Sequence, residues 1–278
     1  MNVAASASNN LMGCSCPRAT EATAAAAVAG LRIGTPVTRK GKITGSTSYR
    51  RGSAAMIFPE RDESRGLSRF PIAVVLIITA NVIVFLIELA LGDSFILRYS
   101  MKPAEIVRGE HLETLFTSMF MHANFLHIFG NMLYLWVFGD ELDANYLGPI
   151  RFTLFYLACG VAAAFLQIAV NPASTEPNLG ASGAIAGVLG AFQVVFPRDR
   201  ILVYIFPFWH VRITALLLTG FWFLLQLENG FGSITSTTQT QGGVAYFAHI
   251  GGFIAGMVLV KLFGAGARPA GQQDLEQL

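Results

Sequence analysis

The chain has 278 residues, of which 53% are hydrophobic and only 13% charged, with a mean hydropathy of +0.54 and a formal net charge of +2. A typical soluble domain carries about 25% charged residues, so this composition excludes an ordinary soluble enzyme and indicates a polytopic membrane protein. The near-neutral net charge says little by itself, because the placement of basic residues between apolar segments is what orients such a chain.

Residues 1–55 are rich in Ala, Ser, Gly and Thr, carry seven basic residues against one acid, Glu21, and show no sustained apolar periodicity. They read as a disordered basic tail. Two origins fit it: an acid-poor, Ser- and Arg-rich transit peptide, or a start of translation assigned upstream of Met56. Six apolar segments follow, each meeting or approaching the ~20 residues that cross a bilayer. They run from about Pro71 to Leu91, Phe125 to Phe138, Phe152 to Val170, Leu179 to Phe196, Val211 to Leu227 and Val244 to Phe263. Helix is expected for all six, since lipid satisfies no open backbone and no ten-residue alternation suggests a barrel. Arg39, Lys40, Lys42, Arg50, Arg51, Arg61, Arg65 and Arg69 precede the first segment, and Arg198 and Arg200 separate the fourth from the fifth. Those sides are assigned to the cytoplasm. The C-terminal tail, residues 265–278, returns to the same side.

This topology brings three polar groups to one level. Ser182, in Gly180-Ala181-Ser182-Gly183, opens the fourth segment at its outer end, His127 lies near the start of the second, and His249 lies in the outer half of the sixth. An ionisable residue at membrane depth is costly and is a functional-site hypothesis by default. A histidine within reach of a serine activates it as a nucleophile, which gives Ser182 and His249 the roles of nucleophile and general base. His127 and Asn131, spaced i, i+4, share one helix face. With the backbone N–H of Ser182 at a helix N-terminus they form a candidate set of donors for an oxyanion. Gly183-x-x-x-Gly187 and Gly252-x-x-x-Gly256 are expected to let the serine and histidine helices pack closely.

Other polar residues receive no chemistry. His111 and His122 are placed in the first outer loop as solvated or interfacial groups, and His210 near a cytoplasmic interface. Asp140, Glu141 and Asp143 are read as a solvated turn rather than a metal cluster. Cys14 and Cys16 lie in the tail and Cys159 in an apolar span, so neither a disulfide framework nor a metal site is indicated. No motif indicates a cofactor, a metal or nucleic acid.

Through His127-x-x-x-Asn131, Gly180-x-Ser182-Gly183 and Ala248-His249-x-Gly251-Gly252, in that order, the chain resembles the rhomboid family of intramembrane serine proteases. The resemblance covers roughly Met56 to Gly264, including Phe116-Thr117-Ser118-Met119-Phe120 and Val137-Phe138-Gly139-Asp140. It implies an all-α membrane protein whose protease domain, residues 56–264, is a six-helix bundle. The implied chemistry is a Ser182/His249 dyad without an acidic third member, an oxyanion held by Ser182 N–H, His127 and Asn131, and hydrolysis of an acyl-enzyme. Substrates would be single-span membrane proteins cut near the outer membrane boundary, and the only cosubstrate is water. Residues 228–243 resemble the family's mobile cap. Two positions depart from the pattern: Ala186 stands where some members stack a tyrosine on the histidine, and Glu113-Thr114 stand where many carry a Trp-Arg pair. The first leaves open what positions His249. A noncatalytic relative that binds or escorts membrane clients is the alternative reading. A bacterial inner membrane is the expected location, with an organellar membrane as the alternative.

Overall fold

Each of the six expected spans is a helix in the computed structural model, which describes residues 57–62, 67–205, 209–235 and 245–266. The basic tail, residues 1–55, and nearly all of the C-terminal tail lie outside the described residues. The first long helix, α1 (Ile72–Leu91), ends at Gly92, whose φ of 73° is one a residue with a Cβ adopts only under strain. Three short helices follow in the first outer loop: α2 (Asp93–Tyr99), α3 (Pro103–Val107) and α4 (Thr114–Thr117). Next come α5 (Phe125–Glu141), α6 (Pro149–Val170) and α7 (Ser182–Val195). Proline at the first position of α6, after Gly148 with φ 77°, sets its start. The last two are α8 (Ala215–Thr235) and α9 (Tyr246–Phe263).

By length and composition α1, α6 and α9 are each able to cross a membrane. Helix α7 is shorter, 14 residues, or about 21 Å at 1.5 Å per residue against a hydrocarbon core of about 30 Å. It has no need to span by itself. Every residue from Gly183 to Phe192 is buried, so α7 is enclosed by its neighbours while large apolar side chains of α1 and α8, such as Leu76, Leu86, Leu217 and Phe221, face outward. The aromatic core around α7 includes Phe138, Phe155, Phe192, Phe196 and Phe253.

A three-stranded antiparallel sheet was not expected. Strands β1 (Ile57–Asp62), β2 (Arg200–Ile205) and β3 (Trp209–Thr214) pair in that order, Ile57 opposite Ile205 and Arg200 opposite Thr214. They precede α1 and connect α7 to α8, so they lie at the end of the bundle opposite Ser182. The fifth span accordingly begins at Ala215, not Val211. Val211 and Ile213 raise the hydropathy of the segment, yet they belong to a strand, paired with Val203 and Ile201. At its far end α8 continues to Thr235, so residues 228–235 of the expected cap are helical, while 236–244 lie outside the described residues.

The acidic turn after α5 is also corrected. Glu141 and Asp143 are buried, not solvated. The chain from Leu142 to Leu147 forms a wide helical turn. It presents Asp143 Oδ2 to the backbone N–H groups of Ala73 (2.8 Å) and Val74 (3.3 Å), free donors at the start of α1. Burial pushes the Asp143 carboxyl above its ordinary range, opposed by those two N–H groups and by Arg69. Asn145 Oδ1 accepts from Ser68 N at 2.6 Å, and Ala144 O accepts from Ser68 Oγ and Arg69 Nε, each at 2.8 Å. The turn fastens α1 to α5.

Helices α7 and α9 meet backbone to backbone. A Cβ on Gly252 would strike the Gly183 carbonyl, one on Gly256 the Gly187 carbonyl, and one on Gly190 the Phe253 carbonyl. Helix α6 closes on the same helix, with Ala163 against Gly183 and Cys159 against Gly187. Without a hydrophobic drive between helices in lipid, such close van der Waals approach is what associates them. Gly256→Ala is therefore expected to cost about 1–3 kcal/mol by forcing the pair apart. Gly220→Ala, on α8 with open space around the added Cβ, should be neutral or gain up to about 1 kcal/mol. Unfolding midpoints of the two variants in the same detergent check the contrast; equal effects would contradict it.

Candidate active site

Ser182 is the first residue of α7, and the chain leading to it is tied down from outside the bundle. Gly180 N donates to Ser118 O (2.9 Å), Asn178 and Met101 exchange backbone bonds of 2.7 and 2.9 Å, and Ala104 N donates to Ser174 O (2.9 Å). The first outer loop thereby holds the segment that delivers the serine. Gly180 has φ 123°, which keeps side-chain bulk away from the space between His127 and Ser182.

His249 is buried on α9 and its Nε2 lies 2.8 Å from Ser182 Oγ. Sixty-seven residues of sequence separate the two, and the glycine contacts of α7 with α9 are what close that distance. The other ring nitrogen, Nδ1, is 2.9 Å from Oε1 of Gln226 on α8. Gln226 carries no role in the sequence reading. The only sequence signal was an amide in an otherwise apolar span, one turn beyond Trp222 and buried at 1% exposure. The Trp222 ring lies 5.6 Å from that of His249, tilted by 40°.

His127 and Asn131 come from the first turns of α5. Asn124 caps that helix, its Oδ1 accepting from His127 N at 2.8 Å. The His127 Nδ1 accepts a long bond from Ala123 N (3.4 Å), which leaves the proton on Nε2. That Nε2 edge borders Gly180, where an added Cβ would lie 2.9 Å from it and 3.6 Å from Ser182 Oγ. Asn131 is 5% exposed and its Nδ2 finds no protein acceptor. A buried amide donor without a partner is costly in a scaffold and useful beside a reacting carbonyl.

His122 is not solvated as expected. It is fully buried, its backbone N–H donates to the Glu88 carboxylate at 3.0 and 3.2 Å, and its ring lies 5.2 Å from that of His127. Burial, with His127 nearby, lowers its pKa to about 3, so it packs as a neutral ring. A cavity of about 320 Å³ is lined by Glu88, Gly92, Asp93, His122 and Asn124 among others, and it does not reach the Ser182–His249 pair. His111 is exposed near Arg98 and Glu113, and His210 lies on β3 beside the Tyr204 ring, both far in sequence order from the pair. Among the described residues no group of three or more His, Cys, Asp or Glu side chains is placed to hold a metal.

The Rhomboid domain matches residues 109–266, more than half of the chain and all of the segment that bears these groups. The chain belongs to the rhomboid family. It is 33% identical over 145 residues to "Rhomboid protein 1, mitochondrial" of Saccharomyces cerevisiae, covering 51% of this chain and 39% of that protein. The match to the human "Presenilin-associated rhomboid-like protein, mitochondrial" is 33% identical over 135 residues, 47% of this chain and 35% of the relative. "Rhomboid protease GluP" of Bacillus subtilis is 28% identical over 183 residues, 65% of this chain and 32% of its own length. The chain thus spans well under half the length of these relatives. It is a multi-pass membrane protein whose relatives include bacterial and mitochondrial proteins.

Glu88 gives this site its testable support. Removing the carboxylate leaves the buried His122 N–H without an acceptor, which costs about 1–3 kcal/mol. Glu88→Ala should lower the unfolding midpoint, and Glu88→Gln, which keeps an acceptor, should lower it by clearly less; equal losses would show that the bond to His122 N contributes nothing.

Proposed function

We propose that this rhomboid-family chain is an intramembrane serine endopeptidase, with residues 56–264 as its protease domain. The observation that carries the reading is the 2.8 Å approach of the buried His249, through Nε2, to Ser182 Oγ at the half-buried N-terminus of α7. The buried Asn131 Nδ2, which has no protein acceptor, adds a second polar group that the packing of α5 does not use.

In the proposed reaction Ser182 Oγ attacks the carbonyl carbon of a substrate peptide bond while His249 Nε2 takes the hydroxyl proton. The negative charge that develops on the carbonyl oxygen is met by Ser182 N–H, His127 Nε2–H and Asn131 Nδ2–H, donors already fixed before substrate arrives. His249 then returns the proton to the leaving amine as the C–N bond breaks, leaving Ser182 acylated. Water, deprotonated by the same histidine, releases the acid and restores the serine. No cofactor enters. Helix α7 is too short to reach both surfaces, which fits a Ser182 that lies below the outer boundary of the hydrocarbon. The substrates that fit are single-span membrane proteins whose helix unwinds near that boundary next to small side chains. For the membrane of residence, a bacterial inner membrane is the reading and an organellar membrane the alternative.

Cleavage of a single-span substrate with small residues near its outer boundary, by wild type, Ser182→Ala and His249→Ala in liposomes, tests this. Wild type should cleave, and both variants should lose at least about a thousandfold in rate. Fluorophosphonate labelling of wild type, absent in Ser182→Ala, should accompany it. A folded wild type that neither labels nor cleaves would overturn the proposal in favour of a noncatalytic client-binding protein.

A further inference from the structure

A serine–histidine dyad with no third member has to hold its imidazole in one tautomer by some other means. The base must carry its proton on Nδ1, so that the Nε2 lone pair faces the serine hydroxyl. In this chain Ala186 offers nothing to stack on, and the groups against the ring come instead from α8. We propose that Gln226 is a positioning residue that fixes His249 in the Nδ1–H tautomer, an inference that rests on the protease reading.

The argument turns on which end of the amide faces the ring. Gln226 Nε2 donates to the backbone carbonyl of Trp222 at 3.3 Å. A carbonyl is an acceptor only, so the NH₂ end of the amide must point there, and the oxygen must point to His249 Nδ1, 2.9 Å away. An acceptor at that position requires a proton on Nδ1. Were the amide reversed, two carbonyl oxygens would oppose each other at Trp222, and His249 would carry its proton on Nε2, where it donates to Ser182 and takes nothing. The helix backbone of α8 therefore decides the protonation of a ring on α9 through one glutamine.

Packing holds the glutamine in register. Phe223 stacks on Phe253 of α9 at 4.5 Å, and Trp222 approaches Phe253 at 6.2 Å and His249 at 5.6 Å. Thr219, one turn earlier on α8, donates to Gln193 Oε1 of α7 at 2.9 Å. Contacts to both dyad helices thus anchor the two turns of α8 that precede Gln226. The group that faces the imidazole from α5 is His127, a second ring and not a carboxylate. Gln226 is therefore the neutral counterpart of an orienting acid: it selects the tautomer without adding charge to an apolar bundle.

The test uses the full-length protein in detergent. In wild type, ¹⁵N NMR of labelled histidine, with His249 assigned by its loss in His249→Ala, should show neutral His249 as the Nδ1–H tautomer; the Nε2–H tautomer would overturn the inference without any Gln226 variant. Gln226→Leu keeps the volume and removes the acceptor. It should lower kcat and the rate of fluorophosphonate labelling by about 10- to 100-fold with KM within about twofold, since tautomer governs proton transfer and not substrate binding. Gln226→Glu retains an oxygen acceptor and should recover activity to within about fivefold of wild type. Wild-type kcat in Gln226→Leu, or equal impairment of the two variants, would overturn the positioning role while leaving the protease reading intact. Failure of wild type itself to label or cleave would instead remove the reading on which it rests.

Discussion

The distance between the backbones of α7 and α9 is the constraint on which the remaining features depend. Two helices with ordinary side chains pack about 8–10 Å apart axis to axis. Here Gly183, Gly187, Gly190, Gly252 and Gly256 remove the side chains from the seam, and carbonyl oxygens of one helix face the Cα atoms of the other. A seam of this kind places Ser182 and His249 at hydrogen-bond distance, with the glycine contacts rather than the two side chains setting the approach. The surrounding elements serve that seam. Helix α6 backs α7 with Ala163 and Cys159, the aromatic cluster of Phe192, Phe196 and Phe253 fills the space below, and the first outer loop holds the segment that enters α7.

Polar groups in an apolar bundle have few choices of partner, and each choice here fixes a proton. His127 accepts from Ala123 N and so presents Nε2–H; His249 meets the Gln226 oxygen and so presents an Nε2 lone pair. In the proposed site, two histidines with the same intrinsic chemistry take opposite roles because one faces a backbone amide and the other a side-chain amide. The positions of those amides follow from helix geometry: Ala123 lies just before the capped start of α5, and Gln226 follows Trp222 by one turn.

Much of this arrangement was legible in the sequence. Hydropathy located six helices, and glycine spacing marked the faces on which α7 and α9 meet. The order of His127, Ser182 and His249 along alternating spans was enough to bring them to one level. What escaped notice did so for physical reasons. The chain from Val211 reads as the start of a span because Val211 and Ile213 lead into the apolar α8, and only its pairing with β2, which pairs in turn with β1 about 140 residues earlier, distinguishes it. Asp143 reads as a surface acid because its partners, the free N–H groups of α1, are backbone atoms that a sequence does not display. His122 reads as solvated because the Glu88 that receives its N–H sits in another helix. Gln226 has no motif at all; its relation to His249 exists only once α8 and α9 are packed.

The glycine seam also has a genetic consequence. Every single-base change in a glycine codon that replaces the glycine with another amino acid installs a residue with a Cβ. At Gly190, Gly252 and Gly256 that atom would coincide with a carbonyl of the facing helix. These positions thus have no conservative first step: alanine, the smallest replacement, already collides with main chain that cannot rotate out of the way. Gly220 and Gly92 behave differently, the first free to accept a side chain and the second barred by its backbone conformation rather than by a neighbour. A side chain at Gly190, Gly252 or Gly256 is accommodated only if α7 and α9 move apart.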